Sequence, residues 1–513
     1  MKDAVVSQNL SLLNSLSRER RGDIAGLVKP QTVAIHTSAR ALYSRNGQWI
    51  LSLTSNLLAR MAPLVRHVYL EIEEDAQLLK PTPMLRGTTI GDSVLGLADE
   101  INCGVTFSVC RPGRQKADLR ISVGRVGAES QVQVASDGWL AFLNTCTDPG
   151  PNENPVGANL AACLALSEAF KFLLKNLGLI GALKRPVVFR RSVLFSAYDY
   201  SVDKADAENP SIPSEFNVGP LLVAGVGSGG SATILTLSAI PGIIGRFALV
   251  DPDEIIGRNL QRYPFATLRH ANEATKKVRI AAALLGCGSG RECLVEEKPY
   301  KACVEEFRRR GFLDLVVATV HTGAARRGIQ KDLPRVLLDG AVTENGEAVI
   351  RRVFFGESAC MGCFYPQTSI YEETKVMAQG LGLETSEVQE LMATNGKFSP
   401  DQVRRVSGRI NAPPTVGERW GDWRQKCAEL PLFVEDRSTE IPAAFATTVA
   451  GVLIAGEVMK ERLFPNAVLK SYYVLDTLGT FSPAYPYLRR PSDGCDICGD
   501  ADAHEVFRSR YSQ

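Results

Sequence analysis

The 513-residue sequence contains no run of 18 or more apolar residues, the length an apolar helix needs to cross a bilayer. No membrane span is expected. Charge of either sign is barely in excess: 58 Lys and Arg face 56 Asp and Glu, a net charge of +2. That balance gives no whole-molecule electrostatic case for binding nucleic acid or an anionic membrane. The N-terminal stretch MKDAVVSQNLSLLNSLSRERRGD lacks the basic start, apolar core and small-residue cleavage site of a secretory signal. A cytoplasmic location is the expectation, with reduced cysteines. The low-hydrophobicity signature of disorder is also missing, since 45% of residues are hydrophobic and 22% charged. What is present is length, enough for about two to four domains, and 12 Cys. In a reducing compartment a Cys pair points to a metal site before a disulfide.

Along the chain, residues 1–50 are polar and read as helix and loops. Short apolar runs at 67–72 (HVYLEI), 105–110 (VTFSVC) and 119–124 (LRISVG) read as strands, and 186–199 is strand-like. A small-residue helix starts at 155, and residues 201–218 read as a Pro-containing linker. A second unit then alternates strand and helix: GPLLVAG and its helix, RFALVDPDEI, KKVRIAAALL, LDLVVATVH and RVLLDGAV. Such alternation predicts an α/β fold with a doubly wound, mostly parallel sheet. Residues 366–440 are polar with short capped helices and read as an insertion outside the sheet. Apolar sequence resumes at IPAAFATTVAGVLIAGEVMKERL and SYYVLDTL. The expected divisions are 1–200, 201–365, 366–440 and 441–513. One internal repeat is visible: AACLALSEAFK at 161–171 resembles AGVLIAGEVMK at 450–460. It suggests two related sheets, the first having lost a glycine turn.

Gly225, Gly227 and Gly230 form G-x-G-x-x-G after the apolar strand LLVA. Glycine permits a tight turn and close approach of backbone to phosphate, and the following helix N-terminus offers unpaired N–H groups. Asp251 and Asp253 close the next strand, where an acid can hold ribose hydroxyls. A dinucleotide oxidoreductase and a nucleoside-triphosphate enzyme both fit so far. The continuation separates them. Asn259 and Arg262 follow in NLQR, and Lys277 precedes a helix. Converging cations suit an enzyme that builds charge on phosphate and on departing pyrophosphate.

These motifs resemble the adenylation domain shared by ubiquitin-activating enzymes and the adenylyltransferases of thiamine and molybdopterin biosynthesis. VTENGEAV at 342–349 is similar too, and the resemblance covers roughly 215–365 and 440–500. It implies a Rossmann-like adenylation domain in which Asp251 holds the ATP ribose. Asn259, Arg262 and Lys277 would hold the phosphates, with Lys276 the neighbouring alternative. The chain departs from the family at His321, where an acid that helps to hold Mg²⁺ is expected. Imidazole is a poor ligand for that hard cation, so another acid holds the metal or His321 meets phosphate directly.

Cys360 and Cys363 form one C-x-x-C, and Cys495 and Cys498 a second. Four thiolates so paired fit a tetrahedral structural Zn²⁺ site; a redox pair is the rival. Of the remaining cysteines, Cys427 lies in the insertion between Arg424 and Lys426, whose charges favour a thiolate. By resemblance it is the candidate thioester nucleophile. The resemblance also implies that 1–200 is a degenerate adenylation-like domain forming an internal pseudo-dimer, with further homodimerisation left open. LYSRN at 42–46 makes Arg45 the residue it would lend to the ATP site.

The expected function is ATP-dependent adenylation of the C-terminus of a ubiquitin-like protein. Thioester formation on Cys427 and transfer to a conjugating enzyme would follow, of the kind found in bacterial antiphage defence. The alternatives are an adenylyltransferase without a thioester step, acting on a sulfur carrier, peptide or RNA base, and an inactive scaffold.

Overall fold

The computed structural model describes residues 2–17, 24–113, 115–126, 129–203, 207–286, 290–343, 346–366, 370–407, 413–427, 443–465, 472–481 and 489–511. Two compact units emerge: residues 1–365 with 442–513, and residues 366–441.

The larger unit holds two seven-stranded sheets. The first comprises β1 (Gln31–Thr37), β2 (Val65–Glu71), β3 (Thr106–Cys110), β4 (Leu119–Val123), β5 (Val132–Asp137), β6 (Leu140–Leu143) and β7 (Val193–Ser196). The second comprises β8 (Phe216–Ala224), β9 (Ile243–Val250), β10 (Arg291–Glu296), β11 (Leu315–Ala318), β12 (Val336–Val342), β13 (Glu347–Val353) and β14 (Tyr472–Asp476). Their orders are β3-β2-β1-β4-β5-β6-β7 and β10-β9-β8-β11-β12-β13-β14. In each, the strands up to β5 or β12 pair parallel, and the last two join antiparallel. The second sheet thus repeats the first strand for strand. The central strands are apolar on both faces: Val33, Ala34 and Ile35 of β1, Leu221 to Ala224 of β8, and Leu315 to Ala318 of β11 are all fully buried. Parallel strands covered by helices require this.

The helices that matter are α1 (Lys2–Leu16), α2 (Arg45–Leu58), α3 (Pro155–Asn176), α4 (Ser228–Ser238), α5 (Lys277–Leu285), α6 (Gly323–Lys331), α7 (Ala444–Leu463) and α8 (Ala501–Tyr511). The repeated segments at 161–171 and 450–460 lie in α3 and α7, which occupy the same place in the two sheets, before the last strand. The two helices pack on each other. Among the described residues α3 alone is long and apolar enough to span a membrane, and it is almost wholly buried within the unit.

Three sequence expectations need correction. Residues 1–50 are more than helix and loops, because β1 is the central strand of the first sheet. Its apolar part, VAI, is too short to stand out between polar flanks. Residues 201–218 are not all linker, since β8 begins at Phe216. The expectation that every cysteine is reduced also fails at Cys293, which is disulfide-bonded.

The smaller unit consists of short helices, Ile370–Leu381, Thr385–Thr394, Pro400–Val406 and Trp420–Cys427. It has its own apolar core, in which Leu381, Val388, Phe398, Val406 and Trp423 are buried.

Candidate functional site

The order of the second sheet reverses direction between β8 and β11, and ligands of open α/β sheets bind outside the strand C-termini at such a point. There β8 runs into Gly225, whose φ of 86° is in the left-handed region. A Cβ on Gly230 would come within 2.3 Å of the Gly225 carbonyl oxygen and 2.7 Å of Thr319 Oγ1. Only glycine closes this turn. Gly227 caps α4 without any side-chain acceptor, so the first N–H groups of that helix have no side-chain cap.

Asp251 follows β9 and is buried. It accepts hydrogen bonds from Val226 N (2.7 Å) and Asp253 N (2.9 Å). Lys277, the first residue of α5, reaches back with Nζ 2.6 Å from Asp253 Oδ2 and 3.6 Å from Asp251 Oδ1. Burial raises the Asp251 pKa and Lys277 opposes it. Burial acts to lower the Lys277 pKa, but Tyr263, Asp251 and Asp253 overcome it and hold the ammonium above its ordinary value. Lys277 is therefore a fixed cation. Lys276 turns away, toward Pro252 O (2.9 Å) and Glu254 (3.1 Å).

Asn259 and Arg262 sit on the next turn. Asn259 Oδ1 accepts from Ile256 N at 3.0 Å and shapes the turn. Arg262 is half-buried, and its Nη1 approaches Gln8 Oε1 at 3.5 Å. Among the described residues no carboxylate pairs with it. Desolvation lowers its pKa, and Arg258 adds to that while Tyr263 opposes it. His321 stands exposed after β11. Desolvation and the charges of Arg326 and Arg262 lower its pKa, which disfavours the imidazolium.

The structure thus joins the glycine turn, Asp251, Asp253 and Lys277 directly, with Arg262 and His321 in electrostatic reach of each other. It does not bring Arg45 to them. That residue opens α2 and bonds Glu153 Oε2 (2.5 Å) and Lys80 O (3.0 Å), both within the N-terminal half. The far end of α2, about 20 Å away by helix rise, meets the NLQR turn instead. There the buried Arg60 donates to Leu260 O (2.6 Å), Pro264 O (3.1 Å) and Ala266 O (2.8 Å). Sequence reading also missed Tyr263. Its hydroxyl lies 3.8 Å from a Cβ built on Gly227, and its ring lies 5.6 Å from Lys277 Nζ. Its place directly after NLQR was the available signal.

In the first sheet the corresponding positions are filled. After β1, Ser38 accepts from Ala41 N (3.2 Å) and donates to Asp148 (2.8 Å). Glu71, at the end of β2, is fully buried and paired with Arg120.

The Sγ atoms of Cys360, Cys363, Cys495 and Cys498 all lie within 4.8 Å of one another. Neighbouring sulfurs are 3.4 to 3.9 Å apart. A zinc ion with bonds of about 2.3 Å sets tetrahedral thiolates about 3.8 Å apart, whereas a disulfide needs about 2.0 Å. The donor set therefore fits Zn²⁺. Gly362 N and Ser492 N donate to Cys360 (3.2 Å) and Cys363 (3.3 Å), which favours thiolate. Arg327 of α6 grips Asp496 at 2.6 Å, and His504 of α8 bonds Cys498 O at 2.9 Å. The cluster so ties the C-terminal tail to the second sheet. Cys427 ends the Trp420–Cys427 helix of the smaller unit, and its side chain lies outside the described residues.

No family model matches the chain. The uncharacterized protein y4jF of Sinorhizobium fredii (strain NBRC 101917 / NGR234) is 28% identical over 523 residues, covering 96% of this chain and 93% of that protein. Crystal structures of E. coli MccB also align. The complex with succinimide has a TM-score of 0.35 and 13% identity over 72% of this chain and 98% of that one. The complex with ATP gives 0.34 and 14% over the same shares. The microcin C7 biosynthetic enzyme MccB with N-formylated MccA gives 0.34 and 14%.

Proposed function

We propose that this chain is an ATP-dependent adenylating enzyme that activates the C-terminal carboxylate of a peptide or small protein. One observation carries the reading: Arg262 is a half-buried cation without a carboxylate partner among the described residues, on the turn between Asp253 and Lys277. A desolvated guanidinium left unpaired is costly unless an anion completes it. The uncapped start of α4 and the fixed charge of Lys277 favour the same ligand, a polyphosphate. Asp251 at the end of the second strand takes the ribose.

In the reaction a peptide carboxylate oxygen attacks the α-phosphorus of ATP. The new O–P bond forms as the bond to the bridging oxygen breaks, and pyrophosphate leaves with that electron pair. Arg262 and Lys277 stabilise the charge that collects on the departing oxygens. Asp253, whose side chain is 43% exposed, offers the hard oxygen donor that Mg²⁺ prefers, and His321 does not. The first sheet reads as a degenerate copy whose nucleotide turn is plugged by Ser38 and Asp148.

Isotope exchange between radiolabelled pyrophosphate and ATP, with a candidate peptide present, tests the proposal. Lys277→Ala and Arg262→Ala should each lower the exchange rate by about a hundredfold or more, the scale of losing one transition-state donor. Exchange at the unaltered rate in both variants would misplace the site. Cys427 has no part in this reading; a reducible adduct that disappears in Cys427→Ala would add the thioester step.

A further inference from the structure

Next to His321 lies a second group of cations. Asp339 on β12 is fully buried and is bonded by two guanidiniums, Arg326 Nε of α6 at 2.5 Å and Arg351 Nη1 of β13. Arg351 also donates to Tyr365 Oη at 2.9 Å. Its guanidinium lies 4.9 Å from the centre of the Phe364 ring and 5.2 Å from that of Tyr365. Arg489, exposed, stacks on Phe364 at 4.9 Å. Arg326 bonds the His321 carbonyl at 3.3 Å, which joins this cluster to the rim of the nucleotide crevice.

Among the described residues Asp339 is the one carboxylate paired with any of these three arginines. The cluster therefore holds excess positive charge, and among the described residues Arg351 Nε, which is buried, has no hydrogen-bond partner. Guanidiniums placed over aromatic rings have lost part of their freedom already, and they match carboxylates in a fork geometry. An anion with several carboxylates, next to the phosphate site, balances that charge.

We propose that Arg351 and Arg489, with Arg326 behind them, bind acidic side chains close to the reacting carboxylate, so that the acceptor is a peptide with an acidic C-terminal segment. This rests on the adenylation reading and gives that reaction its substrate class.

Fluorescence polarisation with the full chain and no nucleotide tests it. The probes are a short labelled peptide with Asp and Glu next to a free C-terminal carboxylate, and its Asn and Gln counterpart. The acidic probe should bind about tenfold or more tightly, the scale of one charge-assisted contact, and added salt should weaken it. Arg351→Gln and Arg489→Gln should each remove most of that preference. Arg489 is exposed, so its variant keeps the fold even where Arg351→Gln disturbs Asp339. Equal binding of both probes by the unaltered chain, or an acidic preference that survives both substitutions, overturns the proposal. Calorimetry with ATP on the same samples separates the two readings. ATP binding without acidic preference removes only this inference; no ATP binding removes the adenylation reading.

Discussion

At the scale of single residues, His321 occupies the position where a metal-holding acid is expected. Its neighbours Arg262 and Arg326 both lower its pKa, after desolvation, so the local field there is positive. An Asp placed there gains from that field and adds a second hard oxygen donor to that of Asp253. His321→Asp should therefore reduce the Mg²⁺ concentration that gives half-maximal pyrophosphate exchange by several-fold. A magnesium titration of the exchange rate checks this, and an unchanged midpoint would place His321 away from the metal. Residues of this kind were legible because they sit in fixed order behind a glycine turn: Asp251 and Lys277 are 26 positions apart in the chain, yet they meet at 3.6 Å. Tyr263 was marked only by its place after NLQR, and Thr319 not at all. Thr319 Oγ1 donates to Gly225 O at 2.5 Å, a contact made by the fold that no spacing rule records.

At the scale of elements, the NLQR turn is held by a helix from the other half of the molecule. Arg60 is 1% exposed. Besides the three carbonyls it bonds Asn56 Oδ1 at 2.9 Å, and Asn56 Nδ2 in turn bonds Pro264 O at 2.8 Å. Burial lowers the Arg60 pKa to about 10, so it remains a cation at neutral pH. Arg60→Met fills similar space but takes their donor from Leu260 O and Ala266 O. The expected loss is about 3 kcal/mol of unfolding free energy, the scale of buried polar groups left unsatisfied. Urea denaturation measures it. Because Arg262 lies on the same turn, KM for ATP should rise more than kcat falls; an unaltered KM would confine Arg60 to stability. Sequence pointed instead to Arg45 at the opposite end of α2, since a local motif cannot show which end of a helix faces a distant loop. β1 escaped for a related reason, its burial being created by strands that arrive later in the chain.

At the scale of the whole molecule, the two sheets are joined by an exchange that only the repeated helices α3 and α7 hinted at. From α7, Lys460 Nζ donates to Ala197 O (3.3 Å) and Tyr198 O (2.9 Å), just beyond β7. In return Arg190, paired with Glu168 of α3 at 2.8 Å, donates to Asp476 O, Thr477 O and Gly479 O at the end of β14. Glu457 is the matching acid of α7. It pairs with Lys460 and, at 3.0 Å, with Arg352, and accepts from Tyr200 Oη at 2.5 Å. Burial alone would raise its pKa, but Lys460 and Arg352 outweigh burial and bring it from 4.5 to about 2. A carboxylate with a depressed folded pKa adds stability above its unfolded value, and that stability disappears as pH falls through the folded value. Glu457 should thus stabilise the chain fully above about pH 4.5 and cease to do so near about pH 2. The shift corresponds to about 3 kcal/mol. Glu457→Gln should be less stable by about that amount at neutral pH, and the gap should close on acidification. Denaturation midpoints of both proteins at stepped pH read the difference directly. A gap that stays constant through that window would show that Glu457 is not the ionised anchor between the halves.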